Sequence, residues 1–375
     1  MMKVKFGDVV NRVNIKVDRH HTDRIYYVGG EHIESNELMI HDKGLIKGST
    51  IGYKFHFGFN PRHVLFMSRN PHLRKCSMVN FSGVCSDSTY VVETKDDSVL
   101  LQDYLLFEMQ SDRFWKWAEE HKSGGVNYLI NYATLSSYEF FLPSLSVQRD
   151  LSKKLWAAYR LKESYKKLLM ATRDMVKSQF IEMFGNPVTN NKGWHTLPIK
   201  EVAPEDPSSE KQTGKVWILN LDMIESNTGK IIGKVFEDDS NLLSVAPFDE
   251  GNVLYSKLRP YLNKVVVPDE KGYATTELVP LRPNQKLLNL TFFSHLLRGD
   301  DFVTYANSIS TGTKMPRMPL NDLRKFPCIL PPMEKQIEFE NIAQQADKSE
   351  FDGLKMEYEL ELLIEGNKFS DKEFD

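Results

Sequence analysis

The chain has 375 residues, of which 41% are hydrophobic and 26% charged, with a net charge of −3. These values are typical of a globular protein with about two domains. No run of 18 apolar residues occurs, which excludes a membrane-spanning protein, and the opening MMKVKFGDVV lacks the apolar segment of a secretion signal. Cys76, Cys85 and Cys328 form no CxxC pair, which favours a reducing compartment and no zinc. We therefore expect a cytoplasmic protein.

The first 145 residues consist of short apolar runs, such as HVLFMS at 63–68, separated by Gly, Pro, Asn and Asp. Such runs between turn-forming residues are typical of β-strands. The longer segment LLQDYLLFEMQSDRFWKWAEEH, residues 100–121, is predicted to be one helix. Residues 186–332 show the same pattern, with runs such as VWILNLDMI and KVVVP. We predict two α+β domains, 1–145 and 186–332, each with a curved or barrel-like sheet.

A long basic helix is predicted between these domains, over residues 146–185. The segment contains no Gly or Pro before Gly185 and Pro187, and residues 146–183 carry nine Lys/Arg against four Asp/Glu. Its apolar residues recur close to the seven-residue spacing of a coiled coil. The candidate interface positions on this helix are Leu151, Leu155, Tyr165, Leu168 and Met175.

A second helix and a polar tail are predicted over residues 333–375. Residues 334–375 carry five Lys against 13 Asp/Glu, so the two helices have opposite charge, which favours pairing. We expect a pair of long antiparallel coiled-coil helices that separates the two domains, with Ile342, Met356 and Leu360 as candidate interface positions. Ser349 and Gly353 weaken the helical pattern, and two helices packed on separate domains are the alternative.

The two halves of the chain share sequence. RHVLFMSRNPHLRK at 62–75 matches NVLYSKLRPYLNK at 252–264 with an offset of 189 residues. After a slip of one residue, FLPSLSVQ at 141–148 matches ILPPMEKQ at 329–336, so that Gln148 corresponds to Gln336. A repeat of about 188 residues indicates two duplicated domains and not a solenoid.

Each half carries two polar clusters suited to nucleic acid. One combines basic and aromatic residues in the matched phrases, and the other is Gly-rich, HKSGGVNY at 121–128 and STGTKMPR at 310–317. Arg and Lys contact phosphates, and Arg also reads guanine edges. A single cluster is more often ordinary surface, but recurrence in both halves favours binding. The candidate DNA-binding residues are Arg69, Arg74, Lys75, Lys257, Arg259, Lys264, Lys314 and Arg317.

Sequence motifs for catalysis are missing. The chain contains no GxxxxGK[ST] or GxGxxG loop, no HExxH pair and no Asn/Asp-Pro-Pro-aromatic motif of an amino-methyltransferase. VPDEKG at 267–272 partly matches an acidic nuclease motif, but nothing completes it, and a β-turn is the favoured interpretation. We therefore predict a non-catalytic protein that binds no metal or cofactor itself.

The chain resembles the specificity subunit of type I restriction–modification systems. The resemblance depends on two recognition units, each followed by a long helix, and on the phrases LYSKLRPYLNK, STGTKMPR, ILPPMEKQ and FIEMFGNP followed by KGW. It implies that each domain reads one half of a split, asymmetric DNA site, while the helices set the spacing and dock two modification (methyltransferase) subunits. Restriction (translocase and nuclease) subunits join such complexes, and S-adenosylmethionine, ATP and magnesium belong to the partners.

Two other functions are compatible with parts of the sequence. A stand-alone restriction enzyme or methyltransferase would need catalytic motifs that are missing. A two-domain scaffold that binds protein instead of DNA fits the zero net charge outside the two helical segments. The acidic second helix, with Gly353, departs from the family pattern and puts the equivalence of the two methyltransferase sites in doubt.

Overall fold

The protein folds into two compact units, residues 1–165 with 355–375, and residues 166–354. The structure is a computed structural model that describes residues 2–125, 128–206, 213–239 and 244–367. Each unit combines helices with small sheets, which confirms the mixed helix and sheet content predicted from the sequence. Within the described residues, no helix is both long and apolar enough to cross a membrane.

The first unit contains two sheets and a two-stranded ladder. Its strands are β1 (Met2–Lys5), β2 (Val10–Arg12), β3 (Ile15–Lys16), β4 (Tyr26–Val28), β5 (Gly44–Leu45), β6 (Phe55–Phe59), β7 (Val64–Met67), β8 (Cys76–Met78), β9 (Gly83–Ser86), β10 (Thr89–Thr94) and β11 (Glu139–Leu142). Its short helices are α1 (Phe6–Val9), α2 (Gln102–Gln110), α3 (Asp112–Glu120) and α4 (Tyr132–Ser136), with 3-10 turns at Gly30–His32 and Pro71–Leu73. The sheet orders are β2-β10-β7-β8 and β3-β6-β9-β4-β5, and β1 pairs with β11.

A long helix, α5 (Leu145–Phe184), leads from the first unit into the second. The strands that follow are β12 (Thr196–Pro198), β13 (Lys215–Leu219), β14 (Val235–Asp238), β15 (Val245–Phe248), β16 (Val253–Ser256), β17 (Val265–Val266), β18 (Gly272–Thr275), β19 (Leu278–Leu281) and β20 (Pro327–Ile329). The helices are α6 (Ile199–Val202), α7 (Leu290–Arg298), α8 (Asp300–Ser308), α9 (Leu320–Lys325) and α10 (Met333–Asn367), with 3-10 turns at Leu221–Met223 and Pro260–Leu262. The sheet orders are β14-β13-β18-β15 and β17-β16-β19, and β12 pairs with β20.

Corresponding elements follow one another in the same order in both units. The ladder β8-β7-β10 matches β17-β16-β19, and the parallel pair of β4 and β9 matches that of β13 and β18. A glycine lies at the same place in both parallel pairs because the backbones and a phenylalanine approach closely. A Cβ on Gly83 would lie 2.4 Å from Phe59 Cζ, and one on Gly272 would lie 2.8 Å from Phe248 Cζ.

The single helix predicted over residues 100–121 is wrong, because the segment forms two helices, α2 and α3. Ser111 between them is extended, and its Oγ accepts a hydrogen bond from the backbone N–H of Phe114 at 3.2 Å. This N-cap starts a new helix. In the second unit, Gly299 occupies the same place between α7 and α8 with an extended backbone.

The two long helices span Leu145–Phe184 and Met333–Asn367, so α10 continues through Gly353. Among the candidate interface residues, Leu155 is buried, whereas Leu168 and Met175 are 53% and 46% exposed. The buried residues next to these two are Leu169 and Val176, one position further along. The remaining candidates divide into half-buried Leu151, Tyr165 and Ile342, exposed Met356, and Leu360, whose side chain lies outside the described residues.

The predicted domain boundaries at residues 145, 185 and 332 stay predictions.

In the second unit, the end of α5 contacts the start of α10 through aromatic rings. Phe339 lies 5.3 Å from Phe180 and 5.7 Å from Phe184, measured between ring centroids. Phe184 also contacts Phe292 of α7 at 4.7 Å, so both long helices pack on the core of this unit.

A fully buried glutamine fixes the start of each long helix to its unit. In α5, the side-chain amide of Gln148 donates to Val99 O at 3.0 Å, and its Oε1 accepts from Leu101 N at 2.9 Å. In α10, Gln336 donates to Leu287 O at 3.0 Å and accepts from Asn289 N at 2.9 Å. Each glutamine also donates to the proline carbonyl five residues earlier, at 2.9 and 2.7 Å.

Substitution of Gln336 by Leu is expected to destabilise the second unit strongly. The change leaves buried backbone groups unpaired, and each such group costs about 1–3 kcal/mol. The control is Gln345→Leu on the exposed face of α10, where we expect a change within about 0.5 kcal/mol. Urea unfolding measures the stability of both variants, and hydrogen exchange of the α7 amides reports on the second unit. Equal stabilities of the two variants would show that the buried amide is dispensable.

Candidate nucleic-acid interface

Each unit contains a sharp turn between two paired strands, β7 and β8 in the first and β16 and β17 in the second. The 3-10 turn at this point is flanked by left-handed residues, Asn70 and Arg74 with φ of 53° and 48°, and Arg259 and Asn263 with φ of 48°. Non-glycine residues rarely adopt this conformation, which costs energy and clusters at functional sites. The same turn occurs twice, so the matched sequence phrases encode one backbone shape.

Two of the basic candidates, Lys75 and Lys264, hold this turn to a second 3-10 turn of the same unit. Lys75 Nζ donates to Gly30 O at 2.6 Å, and Lys264 Nζ donates to Leu221 O at 2.6 Å. Gly30 begins the 3-10 turn that follows β4, and Leu221 begins the 3-10 turn that follows β13. These hydrogen bonds favour a structural role, and contact of either lysine with DNA stays a prediction.

The Gly-rich segments form hairpins at matching positions. Ser123 and Leu129 exchange two backbone hydrogen bonds of 2.9 Å, and Thr311 and Arg317 exchange bonds of 3.0 and 2.9 Å. Gly124 in the first hairpin has a φ of 107°, and Gly312 in the second has a φ of 100°. Glycine adopts such a conformation at little cost. Residues 126 and 127 of the first hairpin lie outside the described residues.

In the first unit, the turn and the hairpin lie side by side. Asn70 N donates to Tyr128 O at 2.9 Å, and Ile130 N donates to Ser68 O at 2.9 Å. The structure therefore brings together two clusters that lie 50 residues apart in the sequence. We call residues 69–75 with 121–125 and 128–129 the first tip surface. Arg69 on this surface is exposed.

The second unit repeats this arrangement. Arg259 N donates to Pro316 O at 2.7 Å, and Met318 N donates to Lys257 O at 2.9 Å. We call residues 257–264 with 310–317 the second tip surface. Lys314 is exposed at the end of its hairpin, whereas Lys257 and Arg259 are half-buried. Within the described part of the chain, Arg259 Nε is buried without a hydrogen-bond partner.

Carboxylates hold two of the candidate arginines. Arg74 Nη1 lies 2.7 Å from Asp112 Oδ1 at the start of α3, and Arg317 Nη2 lies 2.8 Å from Glu277 Oε1. The hydrogen bond and the charge of the Glu277 carboxylate raise the pKa of Arg317. No sequence motif marks Glu277 as a partner of Arg317. Asp112 does carry a sequence signal, because the matching position of the repeat is also an aspartate, Asp300.

The cysteines lie in the cores and not at the tip surfaces. Cys76, Cys85 and Cys328 are all buried, and burial raises the pKa of each thiol, to about 12 for Cys85. Across the described residues, no group of three or more His, Cys, Asp or Glu side chains is placed to hold a metal ion.

Comparisons with known proteins show what the chain is similar to. No protein-family model matches the chain. The type I restriction enzyme EcoDI specificity subunit of Escherichia coli is 30% identical over 123 residues, which is 32% of this chain. The match spans only 27% of the length of that relative.

Solved structures are similar over nearly the whole chain. The S subunit of a type I restriction–modification system from M. genitalium has a TM-score of 0.58 at 13% identity, covering 98% of this chain and 94% of that one. A chain from a study of complex assembly and conformational transition of the type I system has a TM-score of 0.59 at 18% identity, covering 98% and 96%. These likenesses show a shared fold. Together with the sequence match, they confirm the resemblance to type I specificity subunits.

The structural role of Lys264 leads to a stability prediction. Lys264→Met removes a charged donor from Leu221 O, and we expect a loss of about 1.5 kcal/mol in the free energy of unfolding. Lys314→Met, on the exposed end of the hairpin in the same unit, is the matched control, with an expected change within about 0.5 kcal/mol. Urea unfolding of both variants decides. If Lys314→Met costs as much as Lys264→Met, the hydrogen bond is not the cause.

Proposed function

We propose that the chain is the DNA-recognition subunit of a type I restriction–modification complex. The observation that carries the proposal is the pair of tip surfaces, each formed where a left-handed turn and a Gly-rich hairpin meet. Both surfaces carry basic side chains, and exposed basic residues on loops held by a rigid scaffold suit phosphate and base contacts. Each unit reads one half of a split DNA site. Because the side chains of the two surfaces differ, the half-sites differ.

The long helices set the distance between the two units and dock partner subunits. Leu161, Leu168 and Met175 are spaced seven residues apart on α5 and are 46%, 53% and 46% exposed. An exposed apolar row at this spacing is suited to a partner helix. We assign this row to contact with modification subunits. The catalytic chemistry, with S-adenosylmethionine, ATP and magnesium, belongs to the modification and restriction subunits of a cytoplasmic complex.

The first test is modified-base sequencing of the host genome with and without this gene. We expect a split, asymmetric methylated motif that disappears on deletion, because the chain supplies the sequence specificity of the methyltransferase. Reintroduction of the gene controls for secondary changes and restores the motif. An unchanged set of methylated motifs, in cells whose modification subunits are expressed, contradicts the proposal and favours a scaffold that binds protein.

Salt dependence tests the contact of Lys314 with DNA phosphate. Each phosphate contact steepens the fall of affinity with salt, so Lys314→Met is expected to reduce the slope of log K against log salt by about 1. The loss of affinity is uniform across sequences. Lys200→Met, at an exposed position of α6 outside the tip surface, is the control and keeps the slope. Equal slopes for the wild type and Lys314→Met remove Lys314 from the interface.

The spacing role of α5 is tested by inserting four residues, about one helical turn, between residues 151 and 175. The insertion lengthens a helix by about 6 Å, which corresponds to about two base pairs at 3.4 Å per step. We expect the gap between the half-sites to grow while both half-sites stay the same. The same insertion in the exposed loop at residues 47–52 is the control. An unchanged gap refutes the spacer role.

A further inference from the structure

Arg317 of the second tip surface is held through both its backbone and its side chain. Its backbone is fixed at the base of the hairpin by the two hydrogen bonds with Thr311 and by the bridge to Leu258. Its side chain is fixed by Glu277, which lies in the turn between β18 and β19. Glu277 is itself anchored, because its carbonyl accepts a hydrogen bond from Lys257 N at 3.1 Å. Three segments of the second unit therefore meet at this guanidinium.

The hydrogen bonds of Arg317 to Glu277 occupy one edge of the guanidinium. Nε lies 3.1 and 3.3 Å from the two carboxylate oxygens of Glu277, and Nη2 lies 2.8 Å from Oε1. Nη1 is 3.4 Å from Met315 O. A guanidinium has five N–H donors in a fixed plane. Within the described residues, these contacts use one N–H each of Nε, Nη2 and Nη1, and one further N–H remains on each of Nη1 and Nη2.

We infer that Arg317, oriented by Glu277, reads a guanine in the half-site of the second unit, an inference that rests on the proposed function. Two parallel N–H donors match the O6 and N7 acceptors that guanine presents in the major groove. The side chain is 44% exposed. Glu277 is a positioning residue, because a guanidinium already held in one orientation loses less conformational entropy on binding.

The first unit has a different pair at the same place. Leu129 occupies the position of Arg317 and makes the matching hairpin and bridge contacts, with Ser123 and Arg69. Ser88 corresponds to Glu277, and its carbonyl accepts from Ser68 N at 2.9 Å. The backbone is repeated, but the guanidinium and its carboxylate are not. This guanine contact therefore belongs to one half-site only.

The second unit also contains an arginine–glutamate pair that serves as a matched control. Arg324 Nε lies 2.6 Å from Glu205 Oε1, and the two side chains are 43% and 27% exposed, against 44% and 25% for Arg317 and Glu277. This second pair lies outside the tip surface, between α9 and the segment after α6. Exposed ion pairs of this kind contribute about 0–1 kcal/mol to stability, so any effect on stability alone is similar for the two pairs.

The test uses the full chain in complex with its modification subunits, acting on a library of randomised DNA duplexes. Sequencing of the methylated products gives the preference at every position for the wild type, Arg317→Gln, Glu277→Gln and Arg324→Gln. For Arg317→Gln we expect the preference for one guanine, in one half-site, to fall by about 5- to 150-fold, the range of a bidentate base contact. Glu277→Gln lowers the same preference by a smaller factor, and Arg324→Gln changes no position.

Unchanged preferences in Arg317→Gln, or a loss spread evenly over the whole motif, overturn the inference and leave the proposed function intact. If Arg317→Gln abolishes methylation altogether, Glu277→Gln decides, because it keeps the arginine. An unchanged guanine preference in that variant also overturns the inference. If the wild-type complex methylates DNA without any sequence preference, the result contradicts the proposed function itself.

Discussion

The buried glutamine at the start of each long helix is the interaction on which the organisation of each unit depends. Gln148 and Gln336 each satisfy backbone groups of the loop that leads into α2 or α7, as well as a proline carbonyl. An amide side chain can do this because it carries donors and an acceptor together. The joint fixes a long helix, a short helix and the connecting loop at one point. Loss of the amide would leave several buried groups unpaired in the same place.

The sequence predicts the repeated backbone well, because identical residues mark its constrained points. The shared glycines, prolines and glutamines lie where close approach, a sharp turn or the helix joint requires them. The helix surfaces are predicted less well. Leu168 and Met175 follow a seven-residue spacing, yet Leu169 and Val176 are the buried neighbours. An α-helix drifts by about 20° per heptad relative to a strict seven-residue repeat, so sequence spacing alone does not fix the buried face.

The two units differ in side-chain chemistry at matching positions. In the first unit, fully buried Glu108 accepts hydrogen bonds from Arg113 and from Tyr138, the latter at 2.7 Å. The matching positions of Glu108 and Tyr138 in the second unit are Leu296 and Phe326, both buried. The second unit therefore has apolar side chains at two positions where the first unit has a buried, hydrogen-bonded pair. The sequence also does not predict the partners of Lys75 and Arg317. The carbonyl group of Gly30 and the carboxylate of Glu277 come from segments that are distant in the chain.

The hairpins are attached to their units through main-chain N–H and C=O groups. The contacts of Arg259 with Pro316, and of Asn70 with Tyr128, use no side-chain atoms. Substitutions at exposed positions away from such contacts usually change stability by less than about 0.5 kcal/mol. A lineage can therefore replace the side chains at the end of a hairpin one at a time and keep a folded protein at every step. Selection is then free to act on what the hairpin touches, and recognition can drift while the scaffold persists.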